Sequence, residues 1–306
     1  MTTQSTSSPD DPTGVASEAF DKETAFDKRT LRFQAVFGDR RMVFSAPFGN
    51  YFSHPGWVST LGTFTLNRRP GRLWRLLRTL RYHRRMQGWS NQLGLRNPGI
   101  SWLAYKAARS GRLDDHIRRS IVSVHGFDAH DWEYLAEYTK QLHPAAVELN
   151  VSCPNAPMSD DADYWRRVLG HFHRDGMPPV ILKLPPVNTE FFVELSRPWL
   201  PLLLGYHFCN TYPLPGGGGL SGEMLKPHSL YWLREYREEF PDHLFIGGGG
   251  VSCREDVETY IRAGADMVGV ASALFHPSRW GYRWKLRQAN AQYAWKAHYL
   301  AETQEQ

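Results

Sequence analysis

The sequence predicts a (β/α)8 barrel, also called a TIM barrel. Eight short, almost wholly apolar runs recur along the 306 residues, and helical stretches separate most of them. Apolar strands that alternate with helices are typical of a parallel sheet whose outer face is covered. One barrel of about 250 residues plus tails fits this length. A doubly wound sheet is the alternative, but it predicts a GxGxxG turn after the first strand, where this chain reads SAPFGNYF.

The barrel strands and helices follow in order from the apolar runs. The predicted strands are Met42–Ala46, Val58–Leu66, Ser120–His125, Ala145–Val151, Val180–Leu184, Leu204–Asn210, Leu244–Gly247 and Met267–Val270. The predicted helices include Asp131–Leu142, Ala162–Arg174, Glu190–Leu200, His228–Glu239 and Arg254–Ala263. Residues 1–30 are rich in Ser, Thr and Asp and lack periodicity, so we predict a disordered tail there and a single domain over 31–306.

Composition excludes several classes of protein. Hydrophobic residues make up 42% and charged residues 22%, which excludes disorder of the whole chain. There is no apolar run of 18 residues and no secretory signal, so we expect no transmembrane segment and a cytoplasmic location. The three cysteines, Cys153, Cys209 and Cys253, form no CxxC pair, which argues against a disulfide scaffold, a structural metal or an iron–sulfur cluster.

The basic excess of the chain is local. The net charge is +5, yet Arg68 to Arg85 holds eight arginines and no acid; removing these eight from 36 leaves 28 basic against 31 acidic residues. From Arg72 an arginine recurs every third residue, so a helix would carry an arginine stripe beside an apolar one. The segment is either a solvated helix that caps the fold or a surface for a membrane headgroup layer or an acidic substrate. No recognition motif indicates a nucleic acid.

In (β/α)8 barrel enzymes, the active site lies at the C-terminal ends of the strands. The fourth strand ends in ELNVSCPNAP, where the amides of Asn150 and Asn155 both donate and accept and so suit a neutral polar heterocycle or amide. The thiolate of Cys153 is a candidate base, although a lone cysteine is more often a small buried hydrophobe. The fifth strand places Lys183 in an apolar run, where it must be paired or face a ligand unless the strand is an exposed edge.

Glycine-rich turns follow the later strands. Asn210 and Thr211 end the sixth strand and lead into PGGGGLSG, whose backbone can approach a flat ligand closely. The seventh and eighth strands end in FIGGGGVS and VGVASALF, the two places where such barrels bind phosphate. Asn91, beside the tight turn at Gly94, offers another amide to the same mouth.

These motifs, in this order across about residues 41–276, resemble the dihydroorotate dehydrogenase family. The shared patterns are NxxGLxNPG, ELNxSCPN, KLPP, the NT turn with GGLSG and LKP, and AGADMVGVASAL. SCPN with Cys153 is similar to the cytosolic branch, whose base is a cysteine; the membrane-associated branch has serine there and an N-terminal helix pair that we do not find here. Dihydropyrimidine dehydrogenase shares much of this barrel but typically reads SCPH and carries iron–sulfur cysteines.

The resemblance implies an FMN-binding barrel that oxidises dihydroorotate to orotate. Cys153 would remove a proton from the carbon next to the one that delivers hydride to flavin N5, and Lys183 would stabilise the negative charge of the reduced flavin. The implied cofactor contacts are Ala46, Asn91, Asn150, Lys183, Asn210, Gly222, Gly249, Gly250, Ala271 and Ser272. The implied substrate contacts are Asn91, Gly94, Leu95, Asn150, Asn155, Asn210 and Thr211.

Three departures from the family pattern lie on one side of this mouth. Gly62 occupies the position of a family lysine that touches flavin and substrate, Phe48 replaces a small residue, and His54–Trp57 lies in a first βα unit too short for the usual helix. They leave two alternatives open: an FMN oxidoreductase acting on another cyclic amide or an unsaturated metabolite, and a non-catalytic flavin-binding or membrane-surface protein. A homodimer, an electron-acceptor partner and the acceptor itself (fumarate, a nicotinamide, a quinone or oxygen) also stay open.

Overall fold

The computed structural model describes residues 26–152, 159 and 161–274 of the chain. The strands are β1 Met42–Phe44, β2 Trp57–Phe64, β3 Arg81–His83, β4 Gly88–Asn91, β5 Ile121–Val124, β6 Ala146–Asn150, β7 Val180–Lys183, β8 Leu203–Phe208, β9 Tyr212–Pro213, β10 Gly219–Gly222, β11 Leu244–Gly248 and β12 Met267–Val270. The helices are α1 (26–37), α2 Arg72–Thr79, α3 Ile100–Ala108, α4 Gly111–Arg118, α5 Ala129–Leu142, α6 Ala162–Phe172, α7 Thr189–Ser196, α8 Lys226–Glu239 and α9 Arg254–Arg262.

Eight strands close into a parallel barrel, which confirms the predicted fold. Their order around the barrel is β1-β12-β11-β8-β7-β6-β5-β2, and each is one of the predicted apolar runs. The register places Lys183 of β7 opposite Asn150 of β6 and opposite His207 of β8. Because the strands are parallel, their C-terminal ends meet at one mouth, where Asn150 and Lys183 lie.

Helix α1 closes the opposite end of the barrel. Phe33 and Phe37 are fully buried and pack with inward residues from the first positions of the strands, among them Val43, Ile121 and Ile181. The helix includes residues 26–30, so the predicted disorder is wrong for these five residues. Residues 1–25 and 275–306 lie outside the described residues.

A second, antiparallel sheet lies at the mouth, and we call it the roof sheet. Its order is β3-β4-β10-β9, so it joins the connection after β2 to the connection after β8. Gly222 of β10 lies opposite Gly88 of β4, and a Cβ on Gly222 would come within 2.5 Å of the Gly88 Cα. Close backbone contact between these two strands therefore requires glycine.

Two segments stood out in the sequence, the short first βα unit and the arginine-rich segment, and both have simple structures. No α-helix joins β1 to β2; residues Phe48–Asn50 form a 3-10 turn, as the short first unit predicts. The arginine-rich helix is α2, which stops at Thr79, because Arg81–His83 pairs with β4 instead of continuing the helix. Within the described ranges, no helix is long and apolar enough to cross a membrane.

Candidate active site

A polar layer lies inside the barrel above the apolar layer that α1 covers. Three of its side chains, Ser123 on β5, Glu148 on β6 and Lys183 on β7, come two residues after Ile121, Ala146 and Ile181 of the apolar layer. The fourth is His207 on β8. Side chains alternate between the two faces of a strand, so one register sets both layers. All four residues are buried.

Glu148 is the centre of this layer. Its Oε2 lies 2.6 Å from His207 Nδ1, and its Oε1 lies 3.7 Å from Lys183 Nζ. Burial by itself raises the pKa of Glu148, but Lys183, His207 and a hydrogen bond from Ser123 more than offset this and hold the pKa at about 2. Glu148 is therefore an anion that fixes the position of the Lys183 ammonium.

His207 is the neutral member of the cluster. Burial and the nearby Lys183 charge lower its pKa, and the attraction of Glu148 does not overcome them. Since an ionised carboxylate can only accept, the Nδ1–H of the imidazole donates to Glu148. The ring fills space left by two glycines: a Cβ on Gly248 or Gly269 would lie 3.4 or 3.2 Å from His207 Nε2.

An amide network continues from the polar layer to the mouth. Asn150 Nδ2 donates to Thr63 Oγ1 at 3.1 Å, and Thr63 Oγ1 lies 3.0 Å from Ser123 Oγ. Asn210 Nδ2 donates to Asn150 Oδ1 at 2.9 Å and to the Ser152 carbonyl at 3.2 Å. The structure thus brings Asn150 and Asn210 together at the ends of β6 and β8.

Gly62 lies in this mouth without room for a side chain. Its φ is +109°, and a Cβ there would approach the Ser123 carbonyl oxygen to 2.4 Å. Asn50 serves both of its backbone groups, with the Gly62 N–H donating to Asn50 Oδ1 at 3.0 Å and Asn50 Nδ2 donating to the Gly62 carbonyl at 2.7 Å. The local backbone is therefore built for glycine.

The predicted phosphate turns meet beneath the roof sheet. Gly222, Gly250 and Ser272 line one small pocket together with Gln87 and Trp89 of the roof. Gly249 and Gly250 have φ values of +109° and +70°, the region that favours glycine. Ala271, directly after β12, is half-buried, and so is Ala46 after β1.

The residue types at this mouth fit FMN. Backbone N–H groups in glycine-rich turns suit a phosphate, and one buried ammonium with paired amides suits the polar edge of a flavin ring. Gly249, Gly250, Ala271 and Ser272 would hold the phosphate, while Lys183, Asn150 and Asn210 would meet the ring.

The end of β4 and the loop after it carry three more predicted site residues, Asn91, Gly94 and Leu95. The N–H of Leu93 donates to Asn91 Oδ1 at 3.3 Å, while Gly94 and Leu95 form a left-handed turn with φ values of +62° and +55°. Asn97, which the sequence analysis did not single out, accepts from the Gly99 N–H at 2.8 Å and donates to Thr65 Oγ1 at 2.9 Å. It ties this loop to the end of β2.

The cysteines divide into two groups. Cys153 lies outside the described residues, as does Asn155. Burial raises the pKa of the Cys209 thiol to about 12, and burial with nearby carboxylates raises that of Cys253 to about 11. Both stay protonated at neutral pH and are unsuited to act as bases.

Sequence reasoning missed Glu148, His207 and Asn50. The rule applied to Lys183, that a charged residue inside an apolar strand must be paired, applies equally to Glu148 and would have found it. His207 had a weaker signal, one histidine in an apolar run. Asn50 had no signal, because its bonds to Gly62 depend on tertiary folding.

Comparison with known proteins identifies the family of the chain. The family model described as dihydroorotate dehydrogenase matches residues 53–195 and 209–282. The dihydroorotate dehydrogenase B (NAD(+)) catalytic subunit of Oceanobacillus iheyensis is 30% identical over 209 residues, 61% of this chain and 67% of that protein. The same subunit of Thermotoga maritima is 31% identical over 204 residues, 60% of this chain and 72% of that protein.

A solved structure supports the fold. The crystal structure of dihydroorotate dehydrogenase from Eimeria tenella in complex with ferulenol superposes with a TM-score of 0.62 at 17% identity, covering 82% of this chain and 80% of that one. The family match includes six of the eight barrel strands, all but β1 and β8. The chain therefore belongs to the dihydroorotate dehydrogenase family of FMN-dependent oxidoreductases, which act on a CH–CH bond.

Proposed function

We propose that this protein oxidises dihydroorotate to orotate, a step of pyrimidine biosynthesis. The observation that carries the proposal is the pair of amides, Asn150 and Asn210, joined at 2.9 Å beside the buried Lys183–Glu148 pair. A planar ring bearing amide and carboxylate groups needs donors and acceptors at one surface, and this network supplies both. When bound, FMN supplies the acceptor for the hydride that leaves the substrate.

Lys183 has the electrostatic role in this proposal. Its side chain is 7% exposed, and Glu148 Oε1, 3.7 Å from the Lys183 Nζ, is its buried counter-ion. A fixed cation in a site that excludes water stabilises negative charge that develops during the reaction. Glu148 and His207 hold the cation in position without contact with substrate.

The substrate would lie against the amides. Asn91, Asn150, Asn155 and Asn210 bind its polar groups, with Gly94, Leu95 and Thr211 completing the pocket. Thr211 is positioned by its own backbone, whose N–H donates to Asn210 Oδ1 at 2.9 Å. Ala46 and Gly222 line the cofactor.

Cys153 is the proposed base. It follows Asn150 by three residues in the chain, so the loop that carries it begins at the amide pair. The thiolate takes the proton from the carbon adjacent to the one that loses hydride, which leaves the new double bond of orotate. A free thiol has a pKa of about 8.5, so we expect the rate to rise toward alkaline pH.

Anaerobic titration tests the proposal. Purified protein carrying FMN should lose its yellow colour when dihydroorotate is added without oxygen. Cys153→Ser should slow bleaching and remove the alkaline rise of the rate, whereas Cys253→Ser, at a thiol already protonated at neutral pH, should leave both unchanged. Unchanged pH dependence in Cys153→Ser would overturn the choice of base.

Gly62 favours a second candidate substrate. Without the family lysine, the mouth lacks one fixed charge on the β2 side, which suits a less anionic ring such as another cyclic amide. Bleaching by a dihydropyrimidine or lactam, with none by dihydroorotate, would establish this alternative. The relatives are named as catalytic subunits, which supports a separate electron-acceptor partner for either substrate.

A further inference from the structure

Helix α2 presents three of its four apolar side chains to solvent, and the fourth, Leu76, is half-buried. Leu73, Trp74 and Leu77 are 70%, 65% and 68% exposed, and no residue of the helix is buried. Leu73 and Leu77 are four residues apart and so lie on one face, with Trp74 beside them. We call these three side chains the outer face of α2.

The polar side of α2 attaches the helix to the protein. Arg75 Nε donates to the Gln92 carbonyl at 2.8 Å, and the Gln92 N–H donates to Thr79 Oγ1 at 3.1 Å. The Arg72 guanidinium lies over the Tyr51 ring at 5.2 Å. A surface helix of a globular protein normally buries its apolar stripe, and α2 has the opposite orientation.

The surroundings of the outer face are strongly basic. The segment from Arg68 to Arg85 contains eight arginines and no acid, and in the described part of the chain none of them forms an ion pair with a carboxylate. Arg78 lies 5.4 Å from the Trp74 ring and is exposed at the border of the outer face. This charge complements an anionic partner.

We propose that the outer face of α2 docks on an anionic lipid bilayer. Leucine and tryptophan side chains flanked by arginine match the interfacial layer, where acyl chains border charged headgroups. A soluble anion would use the arginines but would leave the leucines in water. Because α2 leads directly into β3, whose Tyr82 lines the pocket below the roof sheet, docking brings the roof toward the bilayer.

Vesicle flotation tests the proposal with the full chain carrying FMN. Wild-type protein should float with phosphatidylcholine vesicles containing a quarter phosphatidylglycerol and remain behind with pure phosphatidylcholine. Binding should fall at least tenfold between 0.1 and 0.5 M NaCl, because salt screens the arginines. The double variant Leu73→Glu/Leu77→Glu should bind at least tenfold more weakly.

A matched control uses α3, which also exposes aromatic side chains beside cations. Trp102 and Tyr105 are 45% and 57% exposed, with Lys106 and Arg109 over their rings. Trp102→Ser/Tyr105→Ser should float like wild type. The melting temperature and FMN content of both variants should match wild type, since the changed residues are exposed.

Three results would overturn the proposal. The first is no flotation of wild type with the anionic vesicles, or equal flotation of Leu73→Glu/Leu77→Glu. The second is a concentration-dependent dimer that the same variant dissociates, which would assign the outer face to a second copy of the chain. The third is retention on immobilised polyglutamate without flotation, which would assign it to an acidic protein.

Discussion

Gly62 is the residue at which the mouth of this barrel departs most from its family pattern. The family lysine at this position would supply a charge from β2, whereas here the backbone adopts φ +109° and is bonded on both sides by Asn50. The sequence alone locates the missing charge, but the role of Asn50 becomes visible only in three dimensions. A side chain at this position would be strained, because its Cβ would lie 2.4 Å from the Ser123 carbonyl oxygen.

Gly62→Ala should lower the free energy of unfolding by about 2 kcal/mol or more, because a Cβ meets the Ser123 carbonyl oxygen and the residue must keep a positive φ. Urea denaturation measures this. Gly111→Ala is the control: its Cβ would meet nothing within 4 Å at the start of α4, so stability should stay equal or rise by up to about 1 kcal/mol. Equal effects at both sites would contradict the steric argument.

His125 should make the protein sensitive to mild acid. Burial lowers its pKa to about 4 and Arg69 adds to this, against a hydrogen bond to the Asn150 carbonyl. The folded protein thus resists protonation that the unfolded chain accepts near its ordinary pKa of 6.5. The contribution of neutral His125 to the free energy of unfolding is fully present above pH 6.5. It falls by about 3 kcal/mol as the pH drops to 4.

Urea denaturation between pH 7 and pH 4 measures that loss. His125→Asn, which keeps a donor for the Asn150 carbonyl but has no titrating ring, should flatten the pH dependence over this range. His130→Asn, at an exposed position of α5, should follow the wild-type curve. A wild-type slope in His125→Asn would show that other groups govern acid stability.

At the scale of elements, apolar runs identified all eight barrel strands, because strands covered on both faces need continuous hydrophobic sequence. Helix α1 escaped prediction since it buries only a narrow stripe, Phe33 and Phe37, among charged residues. The sequence pattern does not mark the end of α2: arginine every third residue continues past Thr79, but Arg81–His83 pairs with β4 instead. In both places, tertiary contacts override the structure that the local sequence pattern favours.

Phe37→Ala should cost about 3–5 kcal/mol of stability, because the fully buried ring closes the end of the barrel and its removal leaves a cavity. Thermal and urea denaturation measure this loss. On the same helix, Leu31 is 67% exposed, so Leu31→Ala should change stability by less than about 0.5 kcal/mol. A small loss in Phe37→Ala would mean that α1 docks only loosely.

At the scale of the whole molecule, the sequence predicted a candidate site at the strand ends, since barrel topology brings all C-terminal ends to one mouth. The roof sheet could not be predicted, because β4 and β10 pair across a long separation and their turns carry no pairing signal. The same holds for the layer of Glu148, Lys183 and His207, whose contacts depend on closure of the barrel. The sequence shows which residues are present, but it does not show which other residues they contact.

Removal of FMN should lower the melting temperature, because a ligand that binds only the folded state adds about 2.7 kcal/mol at 100 times its Kd. Thermal scans of stripped and reloaded protein measure this. Gly250→Ala, whose Cβ would lie 2.9 Å from the Glu223 Cα, should abolish the gain. Gly217→Ala shares a positive φ but meets nothing within 4 Å, so it should keep the gain. No shift on reloading wild type would count against the mouth as the FMN site.

The roof sheet restricts how molecules enter and leave the mouth of the barrel. Its four strands come from two connections far apart in the chain, and hydrogen bonds across β4 and β10 make them a single slab. Neither connection can swing aside alone without breaking those bonds. Entry and exit of a molecule then use either a fixed opening beside the slab or a concerted tilt of all four strands, and on the second route turnover is coupled to the stiffness of one small sheet.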